Sequence, residues 1–262
     1  MNILIDDYEI FKKKIRSLLN IDLDGYKSHQ VKRRIGILMD KVGAKDFITF
    51  YNKLEKDTYL QKEFLDRLTI NVSEFFRNPE QFEMLKNKFI PLLLKRFNII
   101  NIWSAGCSYG AEPYSVAIIL DELRIKNFNI LATDIDQKIL LKAKEGVFKS
   151  EEMKNVSSQR LSRYFIKEGE DSYRIKDSIL SAVKFSYLDL LKDSYPKEMN
   201  LIICRNVIIY FTQEAREYVF KNFGENLKTG GILFLGNTER IFQPERYGLK
   251  AIELFFYERV KG

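Results

Sequence analysis

The sequence is poor in the residues that bind metals and perform nucleophilic catalysis. Its 262 residues include a single histidine, His29, and two cysteines, Cys107 and Cys204. One histidine excludes a zinc site built from several histidines, and any Ser-His-Asp triad would depend on it. The cysteines lie too far apart in sequence to form a CxxC motif, so we expect neither a metal site nor a redox motif. Two cysteines in this arrangement fit a reducing compartment.

The sequence also lacks long apolar runs and the composition of a disordered chain. No apolar run approaches the roughly 20 residues needed to span a bilayer. The first residues show no basic stretch followed by an apolar one, so no signal peptide is expected. The chain has only 5 prolines, with 45% hydrophobic and 30% charged residues, which is typical of a folded protein with a sizeable core. We therefore expect a cytoplasmic protein without direct membrane insertion.

The first seventy or so residues show helical hydrophobic periodicity and no strand-like alternation. Ser28 is available as an N-cap and Gly43 as a helix stop. Apolar residues recur at helical spacing in four stretches, over residues 8–19, 28–42, 45–54 and 58–68. The pattern predicts an all-α N-terminal domain over residues 1–70.

One window of this helical region is strongly basic. Residues 12–45 hold ten lysines and arginines against three aspartates, an excess equal to the net charge of +7 of the whole chain. A charge run of this kind is often a solvated helix face. It is also typical of a surface that docks an acidic partner. Both interpretations fit the sequence.

From about residue 99 onward, short apolar strands alternate with helices. This alternation predicts a doubly wound, mainly parallel α/β sheet over residues 71–262. Within it, residues of about 148–182 contain two short strand-like segments, 163–166 and 173–175, around a polar turn with a glycine. We expect a small inserted antiparallel β-subdomain there. The strands predicted for the main sheet are 99–104, 130–133, 183–187, 201–204, 232–236 and a terminal 254–260.

The first of these strands runs into a loop of small residues and then a helix that we expect to open at Pro113. A strand–glycine–helix turn lets the backbone approach a ligand closely at the carboxyl edge of a sheet. The loop reads GxxxG rather than the GxGxxG that is typical of dinucleotide sites. No GxxxxGK[ST] segment occurs anywhere in the chain, so a P-loop is excluded.

The second strand ends in Asp134, within ILATDID. An acidic residue at this position can accept hydrogen bonds from ribose hydroxyls. Alone, such a residue is as often structural or a helix cap. Combined with the glycine-containing loop one βαβ step earlier, it favours a nucleoside site. A nucleoside site without a phosphate cradle indicates S-adenosylmethionine rather than NAD or ATP.

Five segments together carry a resemblance to a known family. They are TINVSEFFR (69–77), SAGCSYGAEPYS (104–115), ATDID (132–136), FSYLDLL (185–191) and CRNVIIYF (204–211). Their order and approximate spacing resemble the CheR family of chemotaxis receptor methyltransferases, over nearly the whole chain. The resemblance implies a class I S-adenosylmethionine methyltransferase fold. It also implies an enzyme that methylates glutamate side chains of chemoreceptors and releases S-adenosylhomocysteine.

The resemblance also implies roles for individual residues. Arg77 and Tyr210 would act at the transfer site, Arg77 near the methionine carboxylate and Tyr210 beside the donated methyl. Lys32, Arg33 and Arg34 would dock the receptor. The cofactor-binding residues that it implies are Asn71, Ser73, Arg77, Ala105, Gly106, Glu112, Asp134, Asp189, Leu190, Arg205 and Asn206. It implies no metal.

The sequence departs from the family pattern at a few positions. Ser73 stands where the family commonly has threonine, Ala111 where it has glutamate, Asp189 where it has asparagine and Asn237 where it has histidine. The inserted turn KEGEDS lacks the glycine triplet of family members that bind a receptor's C-terminal peptide, so we expect no such tether. We expect a monomer.

Two other functions fit parts of the sequence. A net charge of +7 and an isoelectric point near 9.1 would suit a nucleic-acid methyltransferase. That class predicts a [DNS]PP[YFW] segment or a catalytic cysteine motif, and the chain reads RNVIIYF after the fourth strand. A non-catalytic module that senses the cofactor or binds a partner is the second alternative.

Overall fold

The computed structural model describes residues 6–69 and 73–260. Its α-helices are α1 (Asp7–Leu19), α2 (Ser28–Lys41), α3 (Phe47–Leu54), α4 (Thr58–Thr69), α5 (Pro79–Met84), α6 (Ile90–Arg96), α7 (Ala111–Glu122), α8 (Gln137–Glu145), α9 (Ser158–Tyr164), α10 (Asp177–Leu180) and α11 (Gln213–Asn226). Its strands are β1 (Ile100–Ala105), β2 (Phe128–Asp134), β3 (Val147–Lys149), β4 (Phe165–Lys167), β5 (Ser172–Ile175), β6 (Val183–Tyr187), β7 (Met199–Cys204), β8 (Leu227–Leu235), β9 (Leu249–Glu253) and β10 (Phe256–Arg259).

The chain divides into two compact units. The first, the helical unit, comprises Met1–Asn71 together with Tyr210–Tyr218. The second, the sheet unit, comprises Val72–Ile209 and Val219–Gly262. The helical unit therefore includes Tyr210–Tyr218, a segment that lies far along the sequence from Met1–Asn71.

The helical unit confirms the helices that periodicity predicts. The rings of Phe11, Phe50 and Phe64 meet in its core at centroid distances of 5.9–6.3 Å. All three are fully buried, and burial of large aromatic side chains dominates the energy of small cores. The expected N-cap at Ser28 is wrong. Lys27 occupies that position without a side-chain hydrogen bond, and Ser28 is the first helical residue.

The segment that begins at Tyr210 is attached to the helical unit by backbone hydrogen bonds. The N–H of Lys27 donates to the carbonyl of Tyr210 at 2.9 Å, and the N–H of Thr212 donates to the carbonyl of Gly25 at 2.8 Å. The rings of Tyr26 and Phe211 pack edge to face at 5.2 Å. Lys27 is therefore held in an extended conformation just before α2, where a capping serine was expected.

The sheet unit contains a seven-stranded sheet in the order β6-β2-β1-β7-β8-β10-β9. The first five of these strands run parallel, and β10 is antiparallel to both β8 and β9. The predicted mainly parallel α/β fold is confirmed. Strand β9 was not predicted, because its sequence LKAIE is short and partly polar, as is common for an edge strand.

The inserted β-subdomain is confirmed with one more strand than predicted. It forms a three-stranded antiparallel sheet in the order β3-β5-β4. Strand β3 has three residues, of which Val147 and Lys149 are exposed, so it carries little hydrophobic signal. The helix α7 begins at Ala111, two residues before the expected start at Pro113, because Gly110 adopts a left-handed conformation with φ +94 and ends the loop there.

Within the described residues, no helix is both long enough and apolar enough to cross a membrane.

Candidate cofactor site

The site lies where the parallel strands β6, β2, β1, β7 and β8 end. In a parallel sheet the carboxyl ends of the strands lie at one edge, and the loops that follow them form a common crevice. At the end of each of these five strands, in the loop that follows it or in the first turn of the next helix, lies at least one buried polar side chain. The buried polar residues at these positions include Glu112, Asp134, Asp136, Asp189, Arg205 and Glu239.

Asp134 ends strand β2 with its carboxylate held by the backbone. The N–H of Ser108 donates to Oδ2 at 2.8 Å, and the N–H of Asp136 donates to Oδ1 at 3.0 Å. Asp134 is 8% exposed, and burial raises the pKa of its carboxyl to about 6 although the N–H donors oppose the shift. Each oxygen keeps a lone pair that can accept a further hydrogen bond from a ligand hydroxyl.

Glu112 and Arg205 form a buried ion pair between the first turn of α7 and the residue that follows β7. The Arg205 Nη1 atom lies 3.6 Å from Glu112 Oε2, and the hydroxyl of Ser104 donates to Oε1 at 2.8 Å. Burial raises the pKa of Glu112, while the Arg205 guanidinium beside it acts in the opposite direction. In such a pair the opposite charge and the hydrogen bonds have to compensate for the loss of solvation of each ion.

Arg205 also fixes the segment that carries Arg77. Its Nη2 donates to the carbonyl of Arg77 at 2.8 Å, to Asn78 Oδ1 at 2.9 Å and to Gln81 Oε1 at 3.0 Å. The side chain of Arg77 is half-buried. One guanidinium therefore joins the first turn of α7, the end of β7 and the segment at the start of α5.

Two buried polar atoms at this edge have no hydrogen-bond partner within the described part of the chain. They are Oδ1 of Asn206 and Nε of Arg205. Asn206 adopts a left-handed conformation with φ 61. Since unpaired buried polar atoms are rare and costly, an acceptor and a donor left unpaired in the loop after β7 fit a ligand that offers both hydrogen-bond donors and acceptors. The residues present therefore fit S-adenosylmethionine.

The other candidate cofactor residues of the sheet unit lie in the same loops. The N–H of Gly106, with φ +77, donates to the carbonyl of Thr133 at 2.8 Å and fixes the turn after Ala105. The N–H of Leu188 donates to the carbonyl of Asp134 at 3.1 Å. This bond brings the loop after β6 beside the end of β2.

Asp189 and Leu190 follow in that loop and have structural roles of their own. Asp189 is 3% exposed, and its Oδ1 accepts from the N–H of Leu191 at 2.9 Å. The carbonyl of Leu190 accepts from the hydroxyl of Tyr195 at 2.7 Å. The Asp189 carboxylate thus stabilises the turn that it begins, at the carboxyl edge of the sheet.

The segment before α5 contains three further residues singled out by the sequence. The N–H of Ser73 lies 2.9 Å from the hydroxyl of Tyr109, in the glycine-containing loop. Phe75 and Phe76 are fully buried, so they are core residues. Asn71 lies outside the described residues, as does the boundary at residues 70 and 71.

The candidate docking residues lie on α2 in the helical unit and differ in their surroundings. Lys32 pairs with Asp6 at 3.3 Å and lies 4.4 Å from the centre of the Tyr8 ring. Arg33 is exposed. Arg34 is half-buried. Its Nη1 donates to the carbonyl of Leu68 at 3.0 Å.

The guanidinium of Arg34 also stacks on the ring of Tyr210 at 4.3 Å. Tyr210 is the second residue that the resemblance assigns to methyl transfer, and it lies in the segment that joins the helical unit. Among the docking candidates, Arg33 is thus the one most available to a partner, while Arg34 helps to hold Tyr210.

Glu239 is the residue of this edge that sequence reasoning missed. It follows β8, is 4% exposed, and accepts backbone hydrogen bonds from the loop after β7. A single acidic residue in LFLGNTERIF resembles an exposed loop residue. The only sign of a buried position in the sequence was that Glu239 lies between the apolar segment of β8 and the apolar Ile241.

Both thiols lie in the core. Cys107 and Cys204 are buried, and burial raises the pKa of each well above its usual value. Neither thiol is therefore a thiolate nucleophile of the kind that a cysteine-dependent nucleic-acid methyltransferase requires. Among residues 6–69 and 73–260, no three His, Cys, Asp or Glu side chains are grouped so that they could hold a metal ion.

Two family models match the chain. The all-alpha domain of CheR methyltransferase matches residues 6–69, and the SAM binding domain of CheR methyltransferase matches residues 71–253. Together the two matched ranges cover nearly the whole sequence, with the all-alpha domain first and the SAM binding domain second.

Relatives named chemotaxis protein methyltransferase are similar over most of the chain. The one from Listeria innocua is 40% identical over 253 residues, which are 96% of each chain. The one from Borreliella burgdorferi is 32% identical and covers 92% of this chain and 90% of its own. The one from Escherichia coli is 34% identical and covers 86% of this chain and 81% of its own.

Proposed function

Because the chain belongs to the CheR methyltransferase family, we propose that it transfers the methyl group of S-adenosylmethionine to glutamate side chains of chemoreceptors. The product would be a glutamate methyl ester, and the enzyme would act in the cytoplasm as a monomer. The main structural support is the group of buried Asp134, Glu112 and Arg205 at the carboxyl edge of the sheet, with the unpaired buried atoms Nε of Arg205 and Oδ1 of the half-buried Asn206.

The cofactor would be held by side chains from several loops. When bound, it supplies an electrophilic methyl group on a positively charged sulfur. Asp134 would accept hydrogen bonds from the ribose hydroxyls. Arg205 and Asn206 would offer the unpaired Nε and Oδ1 atoms to its polar groups, with Asp189 and Leu190 lining the same side. Ser73 and Arg77 would complete the site from the segment before α5.

The acceptor needs little chemical activation. A glutamate side chain has a reference pKa of about 4.3, so it is already an anionic nucleophile at neutral pH. No general base is required, which fits a chain with one histidine. The nucleophile and the sulfonium neutralise each other as they react, so strong ionic clamps would stabilise the ground state more than the transition state. Catalysis would then come from alignment, which can contribute up to roughly 7–11 kcal/mol.

The decisive test is methyl transfer to receptor fragments. The protein is incubated with cofactor labelled on the methyl group and with cytoplasmic domains of chemoreceptors, and the product is treated with mild base. We expect label on the receptor that base releases as methanol. Label that resists base, or label on nucleic acid instead, would contradict the proposal. Turnover would also exclude the non-catalytic module.

We further propose that the hydroxyl of Tyr210 assists the transfer step. Tyr210→Phe keeps the ring that stacks on Arg34 and removes only the hydroxyl. We expect kcat to fall several-fold while the affinity for S-adenosylhomocysteine changes less than about twofold, because the loss is confined to the transition state. Tyr59→Phe, at a residue that is 64% exposed, is the matched control. Unchanged turnover in the Tyr210 variant would contradict the assignment.

We also propose that the exposed Arg33 contributes to receptor docking through charge. Arg33→Glu should raise KM for the receptor and leave the affinity for S-adenosylhomocysteine unchanged, since rim charges act mainly on encounter. Arg34→Glu should instead lower the thermal stability of the helical unit, because it loses the bond to Leu68 and the stacking on Tyr210. Receptor kinetics, with thermal unfolding as the second measurement, separate the two effects. If the two variants changed KM and thermal stability in the same way, the assignment of docking to Arg33 and of a structural role to Arg34 would be contradicted.

A further inference from the structure

The carboxylate of Glu239 accepts backbone hydrogen bonds from an unusual number of residues. It receives N–H groups from all four residues of 206–209 and from Gly236, at donor–acceptor distances of 2.8–3.3 Å. Consecutive N–H groups that point at one centre form an anion-binding nest. In this chain the anion in the nest is a side chain of the chain itself.

This nest determines the shape of the loop after β7. Residue 206 has φ 61, and residues 208–210 form a single 3₁₀ turn, so the loop has no regular hydrogen-bond ladder of its own. Burial raises the pKa of Glu239, and the N–H donors act against that rise. Because buried N–H groups need acceptors, removal of the carboxylate would take from the N–H groups of residues 206–209 the acceptor that they share.

The loop in turn lies at the carboxyl edge of the sheet, directly after β7. Arg205 and Asn206 hold the two unpaired buried atoms, Nε and Oδ1. Val207 packs so tightly against Gly106 that a Cβ on Gly106 would overlap its side chain. The position of the loop after β7 therefore also sets its distance from the glycine-containing loop after β1.

We propose that Glu239 is a positioning residue for the cofactor: by binding the N–H groups of residues 206–209, it fixes Asn206 and seats Val207 against Gly106. This inference rests on the proposed function, since the cofactor is the ligand that these groups would contact. Glu239 acts through the loop and need not touch the cofactor itself. Such supporting groups determine how closely a site matches its ligand.

The first test compares two carboxylate replacements. Glu239→Gln should weaken S-adenosylhomocysteine binding about 10- to 100-fold, as displacement of positioned groups does. Glu122→Gln is the matched control, because Glu122 is also largely buried and bonds Arg160 and Lys86 at the other end of α7. It should lower stability and leave the affinity within about twofold. Calorimetric titration gives both affinities, and urea unfolding gives both stabilities.

A second variant disturbs the same carboxylate without removing its charge. A Cβ on Gly236 would lie 2.6 Å from Glu239 Oε2 and 3.0 Å from the backbone nitrogen of Asn206. Gly236→Ala should therefore also weaken S-adenosylhomocysteine binding about 10-fold. Since both changes disturb the same bonds between Glu239 and the loop after β7, their effects should not add: the double variant should bind about as weakly as the single variant that binds more weakly, as expected for coupled sites in a double-mutant cycle.

The outcomes separate this inference from the proposed function. Glu239→Gln and Gly236→Ala proteins that are less stable but bind S-adenosylhomocysteine like the unmodified chain would show that Glu239 only stabilises the fold. Additive losses of affinity in the double variant would also overturn the inference. Failure of the unmodified chain to bind S-adenosylhomocysteine would instead reject the proposed function, and this inference with it. If Glu239→Gln does not fold, the Gly236→Ala protein decides the question.

Discussion

Asp134→Asn is expected to weaken S-adenosylhomocysteine binding about 100-fold or more. Hydrogen bonds to a charged acceptor contribute roughly 1.5–3 kcal/mol each, and in the proposed complex the ribose would offer two hydroxyl donors to this carboxylate. The amide would also turn a donor toward the N–H of either Ser108 or Asp136, both of which now donate to Asp134. Calorimetric titration measures the loss directly.

A neighbouring carboxylate provides the control for Asp134. Asp136 is also buried, and its Oδ1 caps α8 by accepting from the N–H groups of Lys138 and Ile139. Asp136→Asn should change stability and affinity little, because asparagine caps a helix about as well as aspartate. Equal affinity of the Asp134 variant and the unmodified chain would show that Asp134 does not hold the ligand.

The same carboxylate predicts a pH dependence of binding. Burial raises the pKa of Asp134 to about 6 in the absence of ligand, with the nearby Asp136 adding to the rise. Hydroxyl donors favour the ionised form, so bound ligand should lower this pKa. The dissociation constant of S-adenosylhomocysteine should therefore fall as pH rises from about 5 to about 7 and become constant above that. In the Asp134→Asn protein this slope should disappear, and a slope that persists would assign the titration to another group.

Arg205→Met is expected to lower the free energy of unfolding of the sheet unit by about 3–5 kcal/mol. Removal of one partner of a buried ion pair leaves an uncompensated buried charge, here Glu112. The change also removes the bonds that hold the segment around Arg77. The chain has one tryptophan, Trp103, which is fully buried in β1. Urea unfolding followed by its fluorescence therefore reports on the sheet unit.

Two comparisons test whether burial of the ion pair causes the loss of stability in Arg205→Met. Lys88→Met breaks the ion pair of Lys88 with Glu253, whose side chains are 53% and 37% exposed. Exposed pairs contribute roughly 0–1 kcal/mol, so this variant should unfold almost as the unmodified chain does. The double variant Arg205→Met with Glu112→Gln should lose less than the sum of its single variants, because no unpaired charge remains. A loss below about 1 kcal/mol for Arg205→Met would contradict a tightly packed pair.

Most of the fold could be predicted because its signals are local. Helical periodicity predicted α1 to α4, and short apolar runs predicted the five parallel strands within a few residues. The missed strands, β3 and β9, are short and lie in partly exposed, polar sequence. They exist because neighbouring strands offer hydrogen-bond partners, which the amino-acid pattern of the strands themselves does not encode.

The candidate site was predictable only where its residues belong to contiguous motifs. Asp134 and Gly106 stand in such motifs, and strand order alone places both at the carboxyl edge. The basic residues of α2 all looked alike in sequence. Only the packing separates the exposed Arg33 from Arg34, which bonds Leu68 and stacks on Tyr210.

The amino-acid sequence by itself determined the two folding patterns, the family motifs and the edge of the sheet at which a nucleoside would bind. The tertiary structure decided which polar groups pair with one another. Glu112 meets Arg205, and Glu239 meets residues 206–209, although long stretches of chain separate them. Parallel strands need long crossovers, so the loops that meet at one sheet edge are distant in sequence. Their partners follow from strand order and close packing, which no local pattern of residues records.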